Sequence, residues 1–410
     1  MVAALLLGAN VYAIDNVKVN GSVQVLYGTQ DESLKNDSAP DMFDKDASYA
    51  DTAFHLGLTA DLSEGVSTGI SVTAVSSLGM ENNIASLENV WSGAHTVDYD
   101  ANGDVDQIND AMWIDEAWLA GTAGKTTGKI GRMALDTPLA FTEAWGASTN
   151  TFEAAVVINE DLPGTTLMGA WIGKSNGSGD QTSGAPVVGS MTGTDGKFNT
   201  FAANGSYVVG AINNSWEPLT AKAYYYGMTS FADAYWLQAD LSIEGISAGV
   251  QYANIDTVTS DDDSSAYAVM LGYEIKDVVS LSAAYSAVDD KGDTYVGNVA
   301  TRGQSAGQQT QLYTEVWWWY GTVAAQDADT YTVAAETTVG DGYDLYLGYW
   351  HSENDLANYD LDEVAFTVSK SYGPLDTSLA LIYDKFDVDN QADGEQEDLT
   401  TFQVYLTYNF

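Results

Sequence analysis

The side chains best placed to do chemistry lie in Asp98-Tyr99-Asp100-Ala101-Asn102-Gly103-Asp104-Val105-Asp106. Asp98, Asp100, Asn102, Asp104 and Asp106 put oxygen ligands at positions 1, 3, 5, 7 and 9, and Gly103 stands at position 6. That is the front of an EF-hand-like calcium loop, where alternating carboxylates wrap one hard cation and glycine permits the sharp turn. Position 12 is Asn109 rather than a bidentate Glu, and no flanking helices are evident, so the expectation is a weak Ca²⁺ loop site. The alternative is an ordinary solvated loop rich in Asx and Gly. A second acidic stretch, Asp387 to Glu395, has poorer spacing and reads as a hairpin loop, and Asp261-Asp262-Asp263 reads as a charged loop tip.

Catalysis finds no support. The histidines His55, His95 and His351 have no nucleophile elbow or orienting acid at recognisable spacing, and His351-Ser352 reads as a polar residue near a strand end. No cysteine is present, which removes thiolate chemistry, disulfides and Cys-based metal sites. No phosphate-binding glycine loop or zinc motif occurs. The expected reading is a non-enzyme with no organic cofactor.

The 58 acidic side chains stand against 14 basic ones, a net charge of −44, so the chain lacks the cations needed to neutralise nucleic-acid phosphates. Hydrophobic residues make up 45 % and aromatics 11 %, with Gly abundant at 39 and Pro scarce at 6. That composition favours strands, tight turns and interfacial rings over disorder. No stretch beyond the N-terminus approaches the roughly 18 apolar residues of a transmembrane helix. Residues 1–13 read as a partial secretory signal ending in Val11-Tyr12-Ala13, with a short buried strand as the alternative. Residues 14–410 then form one domain.

From Asn16 onward the chain alternates polar and apolar residues in segments of about ten, the pattern of strands with one lipid-facing and one lumen-facing side. Val17, Val19, Val23, Val25 and Tyr27 share one face, and Lys18, Asn20, Ser22 and Gln24 the other. Candidate strands fall near 16–28, 49–62, 65–77, 111–122, 126–134, 151–160, 164–174, 198–212, 216–228, 231–243, 245–257, 264–276, 278–289, 328–339, 342–353, 359–371, 374–387 and 397–410. The expected fold is all-β, a transmembrane antiparallel β-barrel of about 18 strands, with 16 as the alternative. Tight turns follow even-numbered strands, whereas the long stretches near 29–48, 78–110, 135–150, 175–197 and 290–327 follow odd-numbered ones. Short periplasmic turns and long extracellular loops explain this rhythm. Tyr224 to Tyr226, Tyr235-Trp236, Tyr343, Tyr346, Tyr349-Trp350, Tyr405 and Tyr408 are expected to form interfacial girdles, with core packing as the alternative. Trp317 to Tyr320 falls in a long loop and is expected to pack within it, against the barrel rim.

The closing strand, Thr401 to Phe410, ends on an aromatic residue. It resembles the C-terminal signature of bacterial outer-membrane porins, which implies that Phe410 is an assembly signal read by the barrel-assembly machinery. Gly131-Arg132-Met133-Ala134-Leu135-Asp136-Thr137-Pro138-Leu139, followed by Asn150-Thr151-Phe152-Glu153, resembles the fifth strand, third loop and sixth strand of OprD-like eighteen-stranded porins. Related major porins of Campylobacter-type bacteria resemble it too; the Arg132 to Glu153 match covers about a twentieth of the chain, and elsewhere the resemblance rests on strand count. The resemblance implies a third loop, about 135–150, folded inward to narrow the channel. Arg132, Asp136, Glu143 and Glu153 would lie at this pore constriction, Arg132 having a rim salt bridge as its other reading.

The implied function is an outer-membrane porin of a Gram-negative bacterium, a water-filled channel for passive diffusion of ions and small hydrophilic solutes. The acidic balance points to a preference for cations. Expected partners are membrane lipid and lipopolysaccharide, and the resemblance implies a homotrimer. Two other classes predict different behaviour: a surface-exposed adhesin or structural barrel without an open pore, and a soluble secreted β-protein.

Overall fold

The computed structural model describes residues 15–35, 38–86, 95, 97–99, 101, 105–177, 196–301, 309–388 and 396–410. The N-terminal signal expectation and most of the Asp387–Glu395 stretch lie outside the described residues.

Eighteen long strands account for most of the described chain. They are β1 (Asp15–Leu34), β2 (Ser48–Ser63), β3 (Val66–Ser76), β4 (Ala111–Ala123), β5 (Thr126–Met133) and β6 (Phe152–Asn159). Next come β7 (Thr165–Ser175), β8 (Ser206–Asn213), β9 (Leu219–Met228), β10 (Ala232–Ile243), β11 (Ile246–Thr257) and β12 (Ser264–Ile275). The last six are β13 (Val279–Val288), β14 (Ala328–Val339), β15 (Tyr343–Asn354), β16 (Tyr359–Tyr372), β17 (Leu375–Val388) and β18 (Gln396–Asn409). Each pairs antiparallel with its chain neighbours, and β1 pairs with β18 from Ser22↔Asn409 to Leu34↔Gln396. That last ladder closes the sheet, so no strand edge is left unpaired in hydrocarbon.

Even-to-odd connections are tight. The β10–β11 turn is Glu244-Gly245, with φ of 50° and 84°, a left-handed pair that Gly245 adopts without a steric cost. The long loops all follow odd-numbered strands, so both ends of the barrel chain lie on the short-turn, periplasmic side.

Alternation sets the two faces. Leu56, Leu58, Ile70, Met112, Ile130, Val209, Leu237, Val250, Leu271, Val333 and Leu381 are exposed on the outside and form an apolar belt. Their sequence neighbours point into the lumen. The same parity splits the aromatic groups: Tyr225, Tyr235, Tyr343 and Tyr408 lie outside, while Tyr224, Tyr226, Trp236 and Trp350 are buried inside. The girdle expectation is therefore corrected for the second set, because adjacent residues of a strand cannot share a face.

Two strands depart from the sequence boundaries. β1 runs six residues further than expected because it stays paired to the extracellular end of β18 as far as Leu34↔Gln396, past the end of β2 at Thr29↔Ser48. β8 starts eight residues late because Ala202, Ala203 and Gly205 take positive φ of 43°, 66° and 83° and break the extended run. Asn199 and Thr200 pair with the top of β7 as a separate fragment.

Candidate functional site

The third loop (134–151) opens with a two-residue hairpin, Asp136-Thr137 against Ala140-Phe141. Thr137 Oγ1 donates to Ala140 O at 2.8 Å and closes it. The loop then crosses the barrel interior. Its Leu139 N–H reaches the Tyr226 hydroxyl of β9 at 3.2 Å, while Gly146 O and Trp145 O accept from Gln24 of β1 at 3.3 Å and Tyr405 of β18 at 3.1 Å. Ala147 O lies 3.1 Å from His55 Nε2 on β2. A carbonyl only accepts, so His55 donates to it through Nε2, and its Nδ1 lies 2.8 Å from Thr73 Oγ1.

The loop between β13 and β14 (289–327) also folds inward. Tyr313 N–H donates to Gln251 Oε1 at 3.0 Å, Gln251 Nε2 donates back to Gln311 O at 2.8 Å, and the Tyr313 hydroxyl donates to Asp240. Further along, the backbone N–H groups of Trp317, Trp318 and Trp319 all converge on the Glu363 carboxylate of β16. Trp318 stacks on Tyr49 with ring centroids 6.0 Å apart, and Trp317 packs on Tyr346 at 6.0 Å. The Trp cluster is thus inside the barrel and not at its rim; three aligned N–H donors need an acceptor, and the lumen-facing Glu363 supplies one.

The two inward loops are locked to each other. Asn298 Nδ2 donates to Phe141 O and to Glu143 Oε1, both at 2.8 Å, and Phe141 N–H donates to Asn298 Oδ1 at 3.1 Å. Thr301 and Trp145 complete the shell of Glu143. Burial pushes the Glu143 carboxyl up from the usual carboxylate range, opposed by the donors from Thr301, Asn298 and Trp145. Apolar residues of both loops, among them Leu139, Val296, Val299, Leu312 and Val316, pack against Phe152, Ile172, Trp236 and Ile255 of the wall. The two inward loops and the wall residues that face them thus form one apolar cluster inside the barrel.

Beneath Trp317 a cavity of about 860 Å³ opens toward the periplasmic end, lined by Glu274, Glu336, Asp344, Ser280, Thr367 and Tyr346. Lys129 of β5 and Lys222 of β9 point inward by the same alternation, Lys129 standing 4.2 Å from the Trp118 ring centroid.

Of the four residues expected at the constriction, the structure brings only Asp136 and Glu143 to the inward loop. Asp136 Oδ1 accepts from Gln311 of the other loop at 3.1 Å, and Glu143 is buried beneath Asn298. Arg132 and Glu153 are corrected to the outer face. Arg132 shares its side of β5 with Ile130, which is 60 % exposed to the outside, and pairs with Ala117 and Glu153. The inward positions of β5 are Lys129, Gly131 and Met133. Sequence reasoning missed Lys129; counting parity from the apolar Ile130 would have found it.

The 97–108 segment forms a hairpin, Val97–Tyr99 against Val105–Ile108. The side chains of Asp98 and Asp106, and all of Asp100, Asn102 and Asp104, lie outside the described residues. Among the described residues no group of three or more His, Asp or Glu is arranged to hold a metal.

An apolar belt around a closed eighteen-stranded barrel, crossed inside by two loops, defines a transmembrane β-barrel of outer-membrane type. The fold is that of the OprD/Occ outer-membrane porins. The chain is similar to OpdO of Pseudomonas aeruginosa at 13 % identity, with a TM-score of 0.70 over 97 % of this chain and 98 % of that one. It is similar to OpdK of the same organism, solved with vanillate, at 12 % identity and TM-score 0.69, covering 97 % and 99 % of the two chains. OccAB1 of Acinetobacter baumannii gives 12 % identity and TM-score 0.70 over 96 % of each. No family model matches the sequence, and no curated protein matches it.

Proposed function

We propose that the chain is a non-enzymatic outer-membrane porin, a channel through which ions and small hydrophilic solutes diffuse down their gradients. The observation that carries this reading is the pair of mutually bonded inward loops, which narrow a closed barrel. Fixed loops of this kind set size, and fixed charges beside them set ionic preference.

The lining favours cations. Glu274, Glu336 and Asp344 line the periplasmic cavity, and the inward cations Lys129 and Lys222 stand apart from it on β5 and β9. With the acids more numerous at that mouth, small cations concentrate there and anions are depleted. Vanillate in the OpdK structure is a carboxylate; the outward placement of Arg132 argues against the same preference here. A homotrimer, recognition of Phe410 by the barrel-assembly machinery and a Campylobacter-type lineage belong to the same reading, supported by the family resemblance alone, and a weak Ca²⁺ site at 98–106 and a cleaved N-terminal signal belong to it on sequence patterns alone.

The test is the reversal potential of single channels in a planar bilayer under a salt gradient. A cation-selective shift supports the reading, and an anion-selective one overturns the charge assignment. Absence of conductance from folded protein overturns the channel itself.

A further inference from the structure

Three charged side chains stand on the outer face at the extracellular ends of β5, β6 and β7. Arg132 Nε and Nη2 donate to Glu153 Oε1 at 3.1 and 3.0 Å, and Lys174 Nζ sits 3.1 Å from Glu153 Oε2. Arg132 Nη1 donates to Ile114 O at 2.7 Å, above Ala117↔Arg132, the last pair of the β4–β5 ladder. The Phe198 ring lies 4.0 Å from the guanidinium carbon and fixes its plane. Two cations share one carboxylate, so the sector carries net positive charge. The guanidinium has five N–H groups and the ammonium three, of which these bonds use only part.

The height of the cluster is set by its neighbours. Ile130, two residues below Arg132, belongs to the apolar belt, and the outward rings of Trp171 and Tyr207, 4.6 Å apart, lie just below Lys174. Amphipathic rings mark the boundary between hydrocarbon and headgroups. Charges one step further out stand at the level of lipid phosphates.

Around the rest of the described belt this level is acidic or balanced. Tyr225 donates to Asp233 at 3.0 Å, Tyr285 to Asp329 at 2.5 Å and Tyr383 to Asp398 at 2.9 Å, each pair facing outward. Near β15 to β17, Lys385 and His351 face Asp362, which also accepts from Tyr349 at 2.6 Å. In a chain of net charge −44, the β5–β7 sector carries a surplus of fixed cations at this extracellular level, where the other described outward clusters are acidic or balanced.

We propose that Arg132 and Lys174 form a docking site for a phosphate of lipopolysaccharide in the outer leaflet, the phosphate competing with the Glu153 carboxylate for the two cations. The proposal rests on the outer-membrane reading and not on whether the lumen conducts. Charge complementarity and height select the partner: a planar fork plus an ammonium matches a phosphate group, and the cluster stands just above the outward Trp171 and Tyr207 rings, where lipid phosphates lie.

The test is native mass spectrometry of the purified full-length barrel titrated with bis-phosphorylated lipid A, with monophosphoryl lipid A as the comparison. The double variant Arg132→Gln/Lys174→Gln is expected to weaken lipid A binding roughly tenfold, as loss of charge-assisted bonds does. Glu153→Gln removes the competing carboxylate and is expected to strengthen it several-fold. Glu153→Gln also keeps the proposal open to refutation should the double variant not fold, as judged by heat-modifiable electrophoretic mobility. Unchanged lipid affinity in Glu153→Gln, or in a folded double variant, overturns the site. A change of oligomeric state at equal lipid binding also overturns it, in favour of a subunit contact. Wild-type barrel that binds lipid A without conducting in a bilayer would sink the channel reading and leave this one standing.

Discussion

Asn298, in the loop between β13 and β14, donates its Nδ2 to Glu143 Oε1 of the third loop at 2.8 Å. The contact joins residues 155 positions apart in the chain and makes two loops one body inside the barrel. Because Glu143 is 2 % exposed, removing its partner leaves a buried carboxyl oxygen short of a donor. Such a loss costs about 1–3 kcal/mol. Asn298→Ala is therefore expected to let the loops separate part of the time, seen in single-channel records as frequent steps between the wild-type level and a larger one. A steady wild-type trace would show that the loops hold position without this bond.

Glu363 anchors the other end of the inward assembly by accepting from three successive backbone N–H groups, those of Trp317, Trp318 and Trp319. Glu363→Gln keeps a carbonyl oxygen in place, whereas Glu363→Ala leaves all three donors without their acceptor. The alanine variant is expected to show the larger conductance and a midpoint of thermal unfolding several degrees lower, on the order of 2–4 kcal/mol of loop anchoring. Equal behaviour of the two variants would mean that Trp318 on Tyr49 and Trp317 on Tyr346 hold the loop by ring packing alone.

His95 supplies a pH dependence. Its Nε2 lies 3.0 Å from Asp51 Oδ2 on β2, and its Nδ1 is 2.7 Å from Asn109 O, so the imidazole ties the loop 77–110 to the wall. Burial disfavours the charged ring, but Asp51, by hydrogen bond and by charge, Asn109 O and Asp110 outweigh it and raise the imidazole above its ordinary value. A raised folded value means stability fully present below the free imidazole value of about 6.5 and lost as pH rises through the folded one. Protease cleavage of the loop 77–110 should therefore accelerate across that window, and His95→Gln should flatten the profile. A wild-type profile flat from pH 5 to 9 would sink the assignment.

How much of this was legible in the sequence follows from what sets each feature. The barrel strands announce themselves because one face meets lipid and the other the lumen, a period of two that survives even where β8 starts late. The same rule, applied from Ile130, places Arg132 outside; reading Arg132 from its motif alone gave the wrong face, since a one-residue shift reverses every assignment. The interior contacts had no such signal. Glu363 and Trp318 are 45 residues apart, loops carry no periodicity, and nothing in Trp317 to Tyr320 names its acceptor. Glu143 was reached through the family resemblance, whereas its partners Asn298 and Thr301 required the fold.

The seam that closes the barrel offers the last prediction. Phe410 N–H donates to Gly21 O, and Gly21 N–H donates to Phe410 O, both at 2.9 Å. The Phe410 ring stacks on Phe54 at 6.0 Å and lies over Gly21, where a Cβ would stand 2.5 Å from Phe410 Cζ and 2.6 Å from His55 O. The backbone oxygen cannot move away as a flexible side-chain end could, so Gly21 is required by the close approach of β1 to both its neighbours. Gly21→Val should open the β1–β18 ladder at its periplasmic end and lower the temperature at which the folded band converts to the unfolded one in gel electrophoresis. Phe410→Ala, which empties the space above Gly21 and keeps the backbone pair, should cost less stability. If Phe410→Ala instead blocks assembly in cells while the refolded barrel stays as heat-resistant as wild type, the terminal ring acts during insertion, as an assembly signal would. If Gly21→Val leaves heat resistance unchanged, the seam holds by backbone pairing alone.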